Sequence, residues 1–277
     1  MLDGKAWQTL QRSAGVAKIE ICAGHRGARL RKLRQEGSAK VFLPKGAPNE
    51  AVFLNTSGGL TGGDQLSFSL DLDAGLDFTA TTQTAERAYA SAEGVAEMRV
   101  NLTVGVGAQL AWLPQETILY QNASLNRVTD ISLAQGATFL TCEMVILGRH
   151  AMQEQPDTLH LHDLRRIHVG GRLFWSEAVR LGPDAINRKQ GAALLGDSRC
   201  FATLVMVGQG VEAAAPALLP YLDIAECEAA VSAWGGKLVL RVTSRHGWPL
   251  RCQIARILSC LRRKPLPRVW QMNGDIL

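Results

Sequence analysis

Three glycine turns recur at nearly even spacing, each between runs of alternating apolar and polar residues: LDLDAGLDFTATT around Gly75, NLTVGVGAQLAWLP around Gly107 and DISLAQGATFLTCE around Gly136. Thirty-two residues separate Gly75 from Gly107, and 29 separate Gly107 from Gly136. A strand, a turn and a second strand repeated about every thirty residues predict stacked β-coils, each burying its apolar face on the next. A meander or sandwich whose hairpins merely look alike is the alternative. The alternation itself demands strands: Leu66, Phe68, Leu70 and Leu72 alternate with Ser67, Ser69 and Asp71, and Met98, Val100, Leu102 and Val104 flank Arg99 and Asn101 in the same way. Further strand-like runs are 16–22, 28–34, 40–43, 51–54, 76–84, 108–113, 138–147, 173–179, 201–207 and 237–242. β-Branched residues and turn glycines recur too often in them for helices.

The period changes near the end. Leu250, Ile254, Ile257, Leu258 and Leu261 follow helical spacing, with Pro249 suited to a first turn and Pro265 closing the segment. Residues 212–232 are expected to be partly helical, broken by Pro216 and Pro220, with strand 237–242 between the two helical regions. The expected fold is mostly β: a β-helix-like or solenoid stack of strands with a small α-rich C-terminal portion of about two helices. It is read as a single domain over 1–277, with a β-rich body at about 16–210 and an α/β C-terminal portion at about 211–272.

Composition narrows the function classes. Hydrophobic residues are 47% of the chain and charged ones 20%, enough to bury a core and to exclude disorder as the main state. A net charge of +5 leaves acidic partners open, but aromatic residues are too few, at 6%, to interleave with the basic run 25–34 (HRGARLRKLR) or with Arg262, Arg263 and Lys264 as nucleic-acid binding requires. A solvated face or an acidic protein partner fits those clusters better. The first residues hold no apolar signal region, no stretch reaches the roughly 18 apolar residues of a membrane span, and the six cysteines form no C-x-x-C pair. A cytoplasmic protein with reduced thiols is therefore expected.

Few residues carry obvious chemistry. Residues 55–64, NTSGGLTGGD, hold Gly58, Gly59, Gly62 and Gly63 and end in Asp64, yet no lysine or helix follows as phosphate loops need. They predict a tight loop with positive-φ backbone, or else a narrow backbone passage or partner contact with Asp64 as its polar group. Glu143 in FLTCEMVILG and Glu177 in RLFWSEAVRL stand inside apolar strands, where an unpaired charge is costly. Alternation sets Glu143 opposite Cys142, so the glutamate either faces an internal cavity while the thiol packs, or faces solvent. His160 and His162 share one face of any extended segment, near His150 and His168, but no third ligand accompanies them; surface histidines are expected and no stable metal site. No nucleophile motif is present, so catalysis is not expected and no catalytic residue is assigned.

Five segments together resemble the UreD (UreH) family of urease accessory proteins: LNTSGGLTGGDQLSFSLDL at 54–72, TATTQTAERAYAS at 79–91, LAWLPQETILYQNA at 110–123, the strand ending in LGR at 147–149, and PLPRVWQM at 265–272. The resemblance runs in order over about 16–272. It implies a β-helix-like stack with two helices, and a non-enzymatic scaffold that binds apo-urease with a helical UreF-like partner and a nickel-carrying UreG-like GTPase. It further implies a possible homodimer within that complex, no nucleic-acid or membrane partner, and no tightly held cofactor. Ni²⁺ would be in transit through an internal tunnel. The family motifs carry over to Asp64, Thr81, Thr82, Glu86, Gln115, Glu116, Glu143 and Glu177 as tunnel groups. Such oxygen ligands suit passage, because thiolates or several imidazoles would hold the ion too tightly. Two features depart from the family: Asn55-Thr56-Ser57 stands where many members have a proline pair, and the His160-x-His162 pair matches no family motif. A metal-dependent hydrolase built on Asp64, Glu116 and Glu143, and a basic RNA-binding module, are the alternatives.

Overall fold

The computed structural model describes residues 11–271 apart from 26, 48, 189, 191–193 and 263. Residues 1–10, Arg26 and Arg263 of the two basic clusters, and Met272 of the terminal motif therefore lie outside the described residues. Strands alternate between two facing sheets. One holds β1 (Ala14–Gly24), β2 (Gly27–Gly37), β5 (Gln65–Leu72), β8 (Ala96–Val104), β11 (Ser124–Leu133), β13 (His160–Val169) and β14 (Arg172–Leu181), in the order β14-β13-β11-β8-β5-β1-β2. The other holds β3 (Ala39–Phe42), β4 (Glu50–Asn55), β6 (Asp77–Thr82), β9 (Gln109–Leu113), β12 (Thr138–Leu147), β15 (Cys200–Val207), β16 (Cys227–Trp234) and β17 (Lys237–Ser244), in the order β16-β17-β15-β12-β9-β6-β4-β3. Short strand β10 (Thr117–Leu119) pairs with β12 and with β7 (Glu86–Ala88).

The thirty-residue repeat is the coil of a β-solenoid of about 4 turns. β5, β8 and β11 pair in parallel in the first sheet; each leads through its glycine turn to β6, β9 or β12, which pair in parallel in the second. Parallel pairing across successive coils rules out the hairpin meander. The turns stack as the strands do: Gly75 N–H donates to Val106 O at 2.9 Å and Gly107 N–H to Gln135 O at 3.1 Å. Gly75, Gly107 and Gly136 have φ of 69°, 63° and 69°, a left-handed conformation that only glycine adopts without strain. Register then places like on like. Ile19, Leu70, Leu102, Ile131 and Ile167 form one buried column across β1, β5, β8, β11 and β13, each side chain contributing roughly 1.5–3 kcal/mol by burial.

Both ends of the parallel stack close with antiparallel strands: β2 on β1 and β14 on β13 in the first sheet, β3 on β4 and β15 on β12 in the second. Helix α3 (Gly247–Arg262) follows its expected period, with Pro249 in the first turn, and packs Ile254, Ile257 and Leu258 with Leu140, Cys142 and Met144 of β12. The second sheet thus buries both faces, and a second core forms behind it.

The partial helicity expected for 212–232 is confined to its first half. Only α2 (Ala215–Leu218) and flanking 3₁₀ turns at Val211–Ala214 and Leu219–Tyr221 are helical, while Cys227–Trp234 is strand β16. The reason is the Gly235-Gly236 turn, whose φ of 51° and 79° suits a two-residue hairpin and folds β16 onto β17. A further helix, α1 (Pro183–Asn187), was not expected; its Pro183 occupies the first turn. No helix among the described residues is long and apolar enough to cross a membrane.

Candidate functional site

The inward face of the first sheet changes character partway along the stack. Leu66 of β5 and Met98 of β8 continue in register as Arg127 of β11 and Asp163 of β13, and Phe68 and Val100 continue as Thr129 and Arg165. Early coils are therefore apolar between the sheets and later coils charged. From the opposite sheet Glu143 of β12 points into the same space, because alternation sends its neighbours Cys142 and Met144 to the α3 side. The cavity-facing reading of Glu143 holds: its side chain is 3% exposed.

These groups form one chain of charge. Arg127 donates through Nε and Nη2 to both carboxylate oxygens of Asp163, at 2.9 and 2.7 Å, and through Nη1 to Thr117 Oγ1 at 3.0 Å. Glu143 Oε2 lies 2.8 Å from Arg127 Nη1. Arg165 Nη2 is 2.6 Å from Glu177 Oε2, and Arg241 Nη2 donates to Glu177 Oε1 at 2.7 Å. Arg241 is 62% exposed, so the chain reaches solvent there. At the other end Arg127 and Thr117 line a cavity of about 40 Å³ together with Thr82, Glu86, Asn55 and Gly58. That volume holds roughly two or three waters. The glycine loop forms part of its wall, and Asn55 Nδ2 donates to Glu86 Oε1 at 3.3 Å.

Electrostatics follow from burial and pairing. Burial pushes the Glu86 carboxyl up to about 7, against the weaker pull of its hydrogen bond from Asn55. Burial also raises Glu143, with Arg127 opposing it. Asp163 is held below the ordinary carboxylate range: burial works against ionisation, but the bidentate Arg127 outweighs it. Counting Glu86, Glu143, Asp163 and Glu177 against Arg127, Arg165 and Arg241, acids outnumber bases by one. Glu143 Oε2, Glu177 Oε2 and Arg165 Nε are held by ion pairs alone, and Arg165 Nη1, Thr129 Oγ1 and Thr141 Oγ1 have no hydrogen-bond partner among the described residues. Buried polar atoms are almost always satisfied by protein or water, so this is a polar, hydratable seam in an otherwise apolar core.

Not all of the residues read from the sequence gather here. Thr82, Glu86, Glu143 and Glu177 do. Thr81 and Glu116 instead anchor the C-terminal segment, and Gln115 does so while also lining the cavity at Glu86. Thr81 Oγ1 donates to Leu113 O at 2.6 Å and accepts from Trp270 Nε1 at 3.3 Å. Gln115 Oε1 and Glu116 Oε2 accept from Arg251 Nη1 of α3 at 2.5 and 2.8 Å. Asp64 braces the glycine loop, accepting from the Ser13 amide at 2.7 Å and the Thr61 amide at 2.8 Å. In that loop Gly63 has φ 87°, and a Cβ on Gly62 would sit 1.9 Å from Ser91 Oγ and 2.1 Å from Glu93 O. Asp64, Glu116 and Glu143 are thus held by three separate partners and do not converge as the hydrolase alternative needs. His160 and His162 lie on β13 with His160 exposed, and among the described residues no three His, Cys, Asp or Glu come together as a metal cluster. All six cysteines are free.

Arg127, Asp163 and Arg165 were missed from the sequence, although each falls at an inward position of an alternating strand: Leu125-Arg127-Thr129-Ile131 and Leu161-Asp163-Arg165-Ile167. A charge on the apolar face of such a strand was the available signal.

Comparison with known proteins adds a family. The model of a family described as UreD urease accessory protein matches residues 13–271. The urease accessory protein UreD of Cereibacter sphaeroides is 50% identical over 264 residues, covering 95% of this chain and 96% of its own length. Those of Paracoccus denitrificans and Jannaschia sp. are 43% and 42% identical, each over 98% of this chain and covering 97% and 100% of their own lengths.

Proposed function

The chain belongs to the family of UreD urease accessory proteins, and from that premise we propose that it is a non-enzymatic, cytoplasmic scaffold of urease maturation that passes Ni²⁺ along the polar seam between its sheets. In this reading it assembles with UreF-like and UreG-like proteins and apo-urease, as one copy or as a homodimer, and the ion is cargo. The observation that carries the proposal is the run of buried charged and hydroxyl groups from Thr129 to Glu177, in which Thr129 Oγ1, Thr141 Oγ1 and Arg165 Nη1 have no partner among the described residues, adjoining a polar cavity at Glu86. Without water those three atoms would each cost about 1–3 kcal/mol, which favours a hydrated seam. Carboxylate and hydroxyl oxygens at Thr82, Glu86, Glu143, Asp163 and Glu177 are hard donors that exchange with the water shell of a divalent ion instead of trapping it. Arg127 and Arg165 compete with the ion for the same carboxylates, which keeps every stop weak. Asp64, Thr81 and Glu116 serve this function indirectly, by fixing the loop and the C-terminal helix, and Gln115 does the same while also lining the cavity.

The experiment is urease activation in cells carrying the matching urease and accessory genes, with the native chain, with none, and with Glu143→Gln or Glu177→Gln. Activity is expected to vanish without the chain and to fall at least severalfold in each variant, while tagged chain still recovers its partners. Full activation by both variants would overturn the conduit, and full activation without the chain would overturn the scaffold role.

A further inference from the structure

On the opposite side of the second sheet from the seam, two imidazoles meet across 96 residues of sequence. His150, in the 3₁₀ turn after β12, places Nε2 3.1 Å from Nδ1 of His246, the residue before α3. The rings stand 4.4 Å apart, centre to centre, at 80°. Both border an open cleft of about 840 Å³ whose other walls include Ile118, Ile146, Trp248 and Glu226. His150 is exposed and His246 half-buried, so solvent reaches the pair.

We propose that His150 and His246 form a labile binding site for a divalent transition-metal ion of the imidazole-preferring class, Ni²⁺ or Zn²⁺. Imidazole nitrogens bind such ions at about 2.0–2.1 Å, so two cis ligands lie roughly 3.0–3.4 Å apart, the spacing already present here. In the metal-free pair one ring donates N–H to the other. When an ion enters, the donor ring moves that proton to its second nitrogen, so both facing nitrogens offer lone pairs and no net proton is lost. The nearby guanidinium groups are already engaged: Arg149 with Glu154, Arg245 with Asp197, and Arg251 with Gln115 and Glu116. Each is paired with a carboxylate, so its positive charge is offset where a cation would enter. Two protein ligands leave the remaining positions to water or to a donor from another protein, so the site is built for loading and release and not for storage.

The test is equilibrium dialysis of the purified full chain against NiCl₂ and against ZnCl₂. One ion per chain is expected, bound at least tenfold more weakly by His150→Ala and by His246→Ala, and unchanged in His160→Ala/His162→Ala. His246→Gln, which keeps a hydrogen-bonding side chain, should lose binding with an unchanged circular dichroism spectrum. The proposal is overturned if both single alanine variants bind as the native chain does, if only the His160/His162 variant loses the ion, or if the native chain binds nothing at millimolar metal. Urease activation is not the readout, so the site and the scaffold role fail separately.

Discussion

Removing the guanidinium at the centre of the seam should destabilise the protein in a pH-dependent way. Arg127 is 3% exposed and holds Asp163, at 0%, in a bidentate pair with Glu143 2.8 Å away. Arg127→Met keeps much of the side chain's length but strands two carboxyls in a low-dielectric space. Breaking a buried pair from one side costs about 3–5 kcal/mol, and for a chain of this size each kcal/mol moves the melting midpoint by about 2–4 °C. A drop of about 6–20 °C at pH 7.5 is expected. In the native protein Asp163 is held below the ordinary range, so it adds stability above that range and loses it as the pH falls. In the variant both carboxyls are raised by burial, while the unfolded chain ionises them from about pH 4. The variant therefore loses stability as the pH rises, and the gap to the native protein should be small at pH 4.5 and widest near pH 7.5. Thermal melts followed by circular dichroism across that range measure it. Adding Glu143→Gln and Asp163→Asn to the same chain should restore part of the loss at pH 7.5. A midpoint within about 2 °C of native at pH 7.5, or an equal loss at both pH values, would refute the reasoning, the second because it would mean lost packing and not stranded charge.

Glu86 titrates in the folded chain at about 7, above its unfolded value, so the native protein should lose stability from the ordinary carboxyl range up to that pH and level off above it. Glu86→Gln should flatten this slope in urea unfolding at pH 5, 6, 7 and 8; identical slopes would remove Glu86 from the seam's electrostatics. Gly62→Ala forces a methyl to 1.9 Å from Ser91 Oγ and 2.1 Å from the Glu93 carbonyl. It should cost about 1–3 kcal/mol, and a denaturation midpoint equal to native would show that the 91–94 turn yields.

The coil was legible because glycine is written into the sequence wherever the turn ladder needs a left-handed residue, at Gly75, Gly107 and Gly136. The C-terminal helix was legible because its apolar stripe has a single period. Cys227–Trp234 was not: its alanines favour helix, and only pairing with β17 through Gly235-Gly236 makes it a strand. Within the site, Glu143 and Glu177 could be found as charges in apolar runs. Their partners could not be matched to them, since Arg127 and Asp163 are 36 residues apart and meet only because one coil separates them. Nothing in the sequence joined Gln115 and Glu116 to Arg251, 136 and 135 residues further on, which their side chains bind.

The reach of the last residues back to the first coils sets an order on synthesis. Trp270 closes over Thr81 and Leu113, Arg262 donates to Thr79 and Arg251 grips residues 115 and 116. Each coil can settle on its predecessor as it leaves the ribosome, yet the apolar outer side of β9 and β12 stays uncovered until α3 has been made. A nascent or truncated chain thus carries a bare, sticky sheet face from the completion of β12 until α3 is made. Quality control in the cell would meet that face first, and the yield of intact protein should depend on how quickly α3 arrives to cover it.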